Sequence, residues 1–410
     1  MSEIARGPDQ QDSLREALAR PAPLGTDIDL ARYSADGGQH PYLDDPKGLP
    51  EEEKELMLHA GVVVDDLGQR AGTFIQKDQT PVHFSSRQEG VEVLSISEAR
   101  ERYAWLDRYW WQAVRADADK YTAHVELHRA EGYFIRVLPG VRAELPVQAC
   151  LYLGHANLAQ RVHNVIIAEE GSELHIITGC TTHPMSAGLH LGVSEFYVKR
   201  GAKLTFTMIH NWAPGVEVRP RSGAVVEEEA VFLTNYVSMK PVRSMQMYPT
   251  ARLVGRGAVA RFSSVLVAPR GCHIDAGSRA ILDAEETRAE IVSRAITTGG
   301  TIVARGDIQA NKPRVKGHLE CRGLILGETG VIHAVPELVG RVPNVDLSHE
   351  AAVGKIAEEE IEYLMARGLT RQEATAMIVR GFLKVDIEGL PPMLEAEIRQ
   401  AIEESEKDLF

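Results

Sequence analysis

The runs AVARFSSVLVA (258–268), AEIVSRAITT (289–298) and GTIVARGDI (300–308) decide the fold class. Each is dense in β-branched residues, and none is followed by a helical pattern. Similar runs lie upstream: ELHIITG (173–179), AKLTFTMIH (202–210) and AVVEEEAVFLTNYVSM (224–239). Many begin just after a glycine, at Gly171, Gly201, Gly223, Gly257 and Gly300, and the starts recur at roughly 20–35 residues. Without helical crossovers a βαβ sheet is excluded, and sandwich, barrel and parallel solenoid remain. The interval is long for a hairpin and suits one solenoid turn, so a parallel β-helix is expected over 136–347.

The 410 residues exceed one ordinary domain. Residues 1–50 are broken by prolines and glycines and read as a partly irregular arm, with one short helix near 12–20. Residues 51–135 read as a helical or mixed region. PEEEKELMLHAG (50–61) suits a helix, and SISEARERYAWLDRYWWQAV (95–114) reads as another, with Ser97 as its cap. Trp105, Trp110 and Trp111 are expected to pack on the main body. A C-terminal helical domain is expected over 348–410. Its first helix places Ile356, Ile361, Leu364 and Met365 on one side, and Gly368 ends it. Thr370 and Glu373 box the next, which carries Ala374, Met377, Ile378 and Leu383. A last amphipathic helix follows Pro391-Pro392.

A net charge of −13 with no basic stripe argues against nucleic-acid binding. No apolar run approaches a membrane span, and the first residues have no secretory pattern. Four cysteines (Cys150, Cys180, Cys272, Cys321) lie far apart, so neither a disulfide framework nor a zinc ribbon is expected. A reducing cytoplasm fits. Without a phosphate loop the chain should not bind ATP by itself, and the sequence holds no GxSxG elbow.

The chemistry gathers in KPRVKGHLECRGLILGETGVIHAVPELVGRVPNVDLSHE (312–350). It holds Cys321, His318, His333 and His349, with Glu320 and Glu350. Thiolate, imidazole and carboxylate are ligands of iron and other transition metals. Period two puts Leu319 and Cys321 on one face and Glu320 and Arg322 on the other. Cys321 could equally be a small core side chain. Cys180, between Gly179 and Pro184, reads as a thiol on an accessible turn. Cys150 and Cys272 read as structural. His175, His183 and His190 lack the spacing of a cupin metal set.

Several segments, in order, carry a resemblance: PGVRAELPVQA (139–149), RVHNVIIAEEGSELHIITGC (161–180), HNWAPGV (210–216), HIDAGSRAIL (273–282), ECRGLILGETGVIHAVPEL (320–338) and the stretch from Ser348 to Leu383. From Glu53 to Leu383 the chain resembles the SufB/SufD family, scaffold subunits of the SUF iron–sulfur cluster assembly system. The resemblance implies a right-handed parallel β-helix between a helical N-terminal region and a small helical C-terminal domain. It implies two scaffold subunits paired through their β-helices, as a homodimer or a SufB/SufD-type heterodimer. It further implies a SufC-type ATPase bound through 355–383, and sulfur delivered as persulfide by a cysteine desulfurase or sulfur-transfer protein. The thiols make the chain more similar to SufB. By position, Cys321, His349 and Glu350 would hold a transient iron–sulfur cluster and Cys180 would accept sulfur, while ATP hydrolysis would belong to the partner. Ser348 stands where SufB usually has Glu. Whether a flavin supplies electrons is left open. Two rival readings are a SufD-like partner without its own cluster site and a β-helix carbohydrate-active protein.

Overall fold

One corner residue per turn sets the architecture. Gly140, Gly171, Gly201, Glu229, Gly257, Glu286, Arg314 and Asn344 all take left-handed φ, between +53 and +71°. Their amides step up the stack: Gly171 donates to the Arg200 carbonyl, Gly201 to Glu228, Glu229 to Arg256 and Gly257 to Glu285. The result, in a computed structural model that describes residues 8–128, 130–184, 187–326 and 328–383, is a parallel β-solenoid of about 8 turns.

Its first face runs through Val147–Leu153, Glu173–Thr182, Lys203–Asn211, Val231–Ser238, Val259–Ala268, Arg288–Thr297, Val315–Ile325 and Val345–Gly354, hydrogen-bonded in that order. Its second face includes Ala159–Ala168, Ala187–Val198, His273–Leu282, Thr301–Ala310 and Val331–Gly340. Every pairing among these strands is parallel. On the first face Glu173 sits opposite Lys203, Lys203 opposite Val231, Val231 opposite Val259, Val259 opposite Arg288, Arg288 opposite Lys316 and Lys316 opposite Asp346. A turn therefore takes 28 to 30 residues, narrower than the interval expected from the glycines. Alternate residues point inward, so equivalent positions stack: Leu174, Leu204, Phe232, Ala260 and Ala289 form one buried column.

The N-terminal part is more ordered than expected. The arm's helix, Pro8–Ala19, buries Leu14, and Lys120 Nζ holds Asp27 and the Ile28 carbonyl. Residues 51–135 contain the helix Glu51–His59 as expected, and also the strands Gly72–Lys77, Thr80–Ser86, Val91–Ser95 and Tyr133–Val137. The helix expected over 95–114 ends at Arg102, and Ser95, not Ser97, caps it by accepting from the Glu98 amide. Ser97 Oγ instead donates to Glu131. Trp105 and Trp110 pack around Phe134 and Tyr197, while buried Glu195 accepts from the amides of Trp111 and Ala113 and clasps their loop to the solenoid.

At the other end the solenoid passes residue 347: Val345–Gly354 is its last strand, and helix begins only at Glu358. The helix Glu358–Met365 packs on the helix Arg371–Leu383, which turns back over the first face. Val379, Ile356 and Phe382 cover Ile177, Ile209, Val237, Val265, Ile296 and Leu324. Gly368 takes φ +97°, and the capping box forms, Glu373 N donating to Thr370 Oγ1 and Thr370 N to Glu373 Oε2. The expected apolar stripe divides, because the first helix is only 8 residues long. Ile361 is buried, Leu364 half-buried and Met365 exposed. Met377 and Tyr363 are exposed as well. The helix expected after Pro391-Pro392 lies outside the described residues. No helix among the described residues is long and apolar enough to cross a membrane.

Candidate functional site

Cys321 points into the solenoid from the strand Val315–Ile325. Val315, Leu319 and Cys321 are buried while Lys316 and Arg322 are exposed, the alternation read from the sequence. Directly beneath it lie Ser293, Ser264, Tyr236, Met208 and Thr178, one per turn. This column is more polar than the rest of the interior. A cavity of about 50 Å³ opens along it between Met208, Tyr236, Ser264, Ser293 and Arg305. Tyr236 OH is within 2.5 Å of both His210 Nδ1 and Met245 Sδ. The serines were visible in the sequence, but their alignment needed the exact turn length.

Cys180 is not on an accessible turn. It lies within the strand Glu173–Thr182, fully buried and facing inward. Gly179 serves a different purpose from turning the chain: a Cβ there would come within 2.5 Å of the Ala60 carbonyl, so the glycine admits the N-terminal segment against the sheet. Four strands of the first face separate Cys180 from Cys321. At about 4.8 Å per strand the two thiols are roughly 24 Å apart, too far to share one cluster. Burial raises the Cys180 thiol well above its ordinary pKa. Burial, aided by the Glu320 charge and opposed by Arg294, pushes Cys321 up to about 11. Cys150 packs in the cluster of Met57, Val62 and Tyr152, and Cys272 accepts from the Val242 amide, as structural cysteines do.

His349 shares the inward face with Cys321, on the adjacent strand. It sits opposite Leu319, and Ala351 sits opposite Cys321. Its Nε2 is buried with no hydrogen-bond partner, on the strand next to the one that carries the thiol. Glu350 does not join them. As the next residue on a strand it points outward, opposite Glu320, 67% exposed and 4.0 Å from Arg322. Glu320 is occupied by Arg294 at 2.9 Å and Arg322 at 2.5 Å. Within one chain, then, the expected set is divided by the sheet: Cys321 and His349 inside, Glu350 outside. His318 is also outward, bonded to Ser348 Oγ at 2.9 Å, and His333 is exposed. His175, His183 and His190 hold separate partners, Thr207, Glu52 and Gln160.

The turn that carries His349 is unlike the others. No residue of Val331–Gly340 or Val345–Gly354 is buried, and each strand is paired on one side only among the described residues. Val331 and Val353 are 54% and 42% exposed. The candidate site therefore lies at an open end of the solenoid, with His349 on the edge strand and Cys321 one strand in.

The chain matches the family model for the SufBD core domain of SUF-system FeS cluster assembly over residues 152–382. It is 54% identical over 358 residues to an iron-sulfur cluster assembly SufBD family protein of Archaeoglobus fulgidus, covering 87% of this chain and 96% of that one. It is 47% identical over 409 residues to a family member of Methanothermobacter thermautotrophicus strain Winter, covering 97% of this chain and 100% of the relative. To the iron-sulfur cluster assembly protein SufB of Bacillus subtilis it is 30% identical over 364 residues, covering 86% and 78%. With this solenoid, and with the match extending from its first turn into its C-terminal helices, the chain belongs to the SufBD family and has a role in iron–sulfur cluster assembly.

Proposed function

We propose that the chain is a scaffold on which a transient iron–sulfur cluster is built at the open end of the solenoid. The observation that carries this is the unpartnered His349 Nε2 on the same inward face as Cys321. One thiolate and one imidazole take iron and sulfide but do not close a four-cysteine cage, so the product can leave. The remaining ligands come from a second scaffold subunit packed on the exposed edge strands, and a second copy of this chain suffices. A two-fold axis would bring another Cys321 and His349 to the same interface, and Glu350 would face it from the outer side. Sulfur enters as persulfide from a desulfurase or transfer protein, with Cys180 as acceptor.

Both thiols are protonated and covered in the resting chain. Thiolate forms when iron displaces the proton or when the solenoid is opened. The chain has no nucleotide loop, so the opening force comes from a SufC-type ATPase gripping 355–383, where Tyr363, Met365 and Met377 stand out from the helix pair. Because these helices cover the first face, a pull on them is transmitted to the sheet that holds Cys180 and Cys321.

Anaerobic reconstitution with iron and sulfide tests the reading. The wild type should develop sulfide-to-iron visible absorption, and Cys321→Ala should lose most of it. Undiminished absorption in that variant moves the cluster off Cys321. The second reading, a SufD-like partner, is favoured by Ser348, which replaces the acid beside His349. It gains if persulfide never labels Cys180 or Cys321. The carbohydrate reading has nothing comparable: Trp105, Trp110 and Trp111 are taken up in packing against buried clusters.

A further inference from the structure

At the opposite, closed end three side chains from three separate segments converge. His40 comes from the N-terminal arm. Asp78 comes from the turn between the strands Gly72–Lys77 and Thr80–Ser86, and His155 follows the strand Val147–Leu153. His40 Nε2 lies 2.9 Å and His155 Nδ1 2.6 Å from one oxygen, Asp78 Oδ2. The three atoms fall within 4.8 Å of one another, and among the described residues no other three His, Cys, Asp or Glu side chains gather this way.

The carboxylate is held in place by its surroundings. Asp78 has no exposed side-chain surface and takes φ +54°, left-handed for a residue with a Cβ. Its amide donates to the Tyr152 carbonyl, and its own carbonyl accepts from Gln76 and Gln160. Oδ1 accepts from the amides of Gly154 at 2.7 Å and His155 at 3.0 Å. That leaves Oδ2 to the two imidazoles alone. Burial works to raise the Asp78 carboxyl, but the bonds from His155, His40 and the two amides outweigh it and keep the pKa below the ordinary value. The His155 side chain is 54% exposed, so solvent and ions reach the group.

We propose that His40, Asp78 and His155 bind a divalent transition-metal cation of the zinc type through two imidazole nitrogens and one carboxylate oxygen, with water in the open position. Ligand atoms around tetrahedral zinc stand about 3.3 Å apart. To reach that spacing the two nitrogen–oxygen contacts of 2.9 and 2.6 Å open by about 0.4 and 0.7 Å, the two imidazoles giving up a shared acceptor for a shared cation. The carboxylate already has the outer hydrogen bonds that orient a metal ligand. The ion would lock the N-terminal arm at residue 40 onto the first turn, far from the cluster site, and it needs no cysteine.

The test uses the full chain, stripped of metal and titrated anaerobically with Co²⁺ in the absence of sulfide. We expect one Co²⁺ per chain, visible ligand-field bands without thiolate-to-cobalt charge transfer, displacement by Zn²⁺, and a higher melting temperature with the ion bound. His155→Gln and His40→Gln should each weaken binding at least 100-fold and abolish the melting shift, whereas Cys321→Ala should leave both intact. His155 is half-exposed, so its variant remains a fair test if His40→Gln fails to fold. Equal affinity in wild type and His155→Gln, a thiolate charge-transfer band that is lost together with binding in His155→Gln, or no binding at millimolar Co²⁺ overturns the proposal.

Discussion

The two ends of this solenoid are built on opposite principles. At the N-terminal end every residue of Val147–Leu153 and Ala159–Ala168 is buried, inside and out. The arm, the short helices and the strands Thr80–Ser86 and Val91–Ser95 cover the first turns and turn antiparallel at the margins, which ends the ladder. At the C-terminal end no residue of the last two strands is buried, and two ten-residue edges have no further strand beside them among the described residues. A solenoid must be capped at both ends to stay soluble and single. Among the described residues the chain caps one end from its own first 140 residues and leaves the other open, and the candidate cluster ligands sit at that open end, where the proposed second subunit would pack.

The largest effect should come from breaking the closed end. Phe74→Ala removes a fully buried ring packed edge-on against Tyr133 at 5.5 Å, and should cost about 3–5 kcal/mol in a denaturant titration. At the C-terminal helices, Val379→Asp puts a charge into the cluster that docks them. A loss of about 3 kcal/mol is expected, or local undocking seen as protease cleavage near residue 370. Met377→Asp on the same helix changes an exposed side chain. It should leave stability within about 0.5 kcal/mol while abolishing ATPase capture on gel filtration. Equal capture by the variant would remove the helix pair as the docking site.

The ends should also answer differently to pH. Burial lowers His190 to about 3 and His175 to about 4. A histidine whose folded pKa is depressed adds stability that is complete above its unfolded value of 6.5 and is lost as pH falls toward the folded value. The urea midpoint should therefore fall between pH 6.5 and 4, and less steeply in His190→Gln. Cys321 titrates the other way. Its folded pKa is raised to about 11, so its contribution is complete below the unfolded value of 9.0 and is lost as pH rises through 11. Alkylation of Cys321 at pH 8 should be at least about tenfold slower than in urea and should accelerate between pH 9 and 11. The smallest effect belongs to Thr370→Ala, which removes one cap at a cost of about 1 kcal/mol.

The β-helix was legible because apolar period-two runs recur without helices between them. The period itself was blurred for a physical reason. Glycine marks the left-handed corner at 140, 171, 201 and 257, but Glu229, Glu286, Arg314 and Asn344 occupy the same corner in the other turns. Gly223 and Gly300, which looked equivalent, answer to different needs: a Cβ would strike the Ala113 carbonyl at one and the Pro269 carbonyl at the other. The inward face of Cys321 was readable from alternation. The opposite faces of His349 and Glu350 were not read, because the segment looked like the start of a helical domain, yet consecutive strand residues must diverge. The burial of Cys180 was hidden by Gly179, whose reason lies at Ala60, far away in sequence. The His40, Asp78 and His155 group could not be seen at all, since three distant segments make it.

Amide hydrogen exchange along 331–354 tests the central claim most directly. In a single chain the outward-facing amides of both edge strands have no partner among the described residues and should exchange within seconds. If the open end is completed by a second subunit, those amides will be protected in the purified protein at micromolar concentration, nearly as well as the strand Arg288–Thr297, and the protection will fade on dilution. Rapid exchange of half the amides in each strand at every concentration, with or without a second scaffold subunit present, would contradict the account.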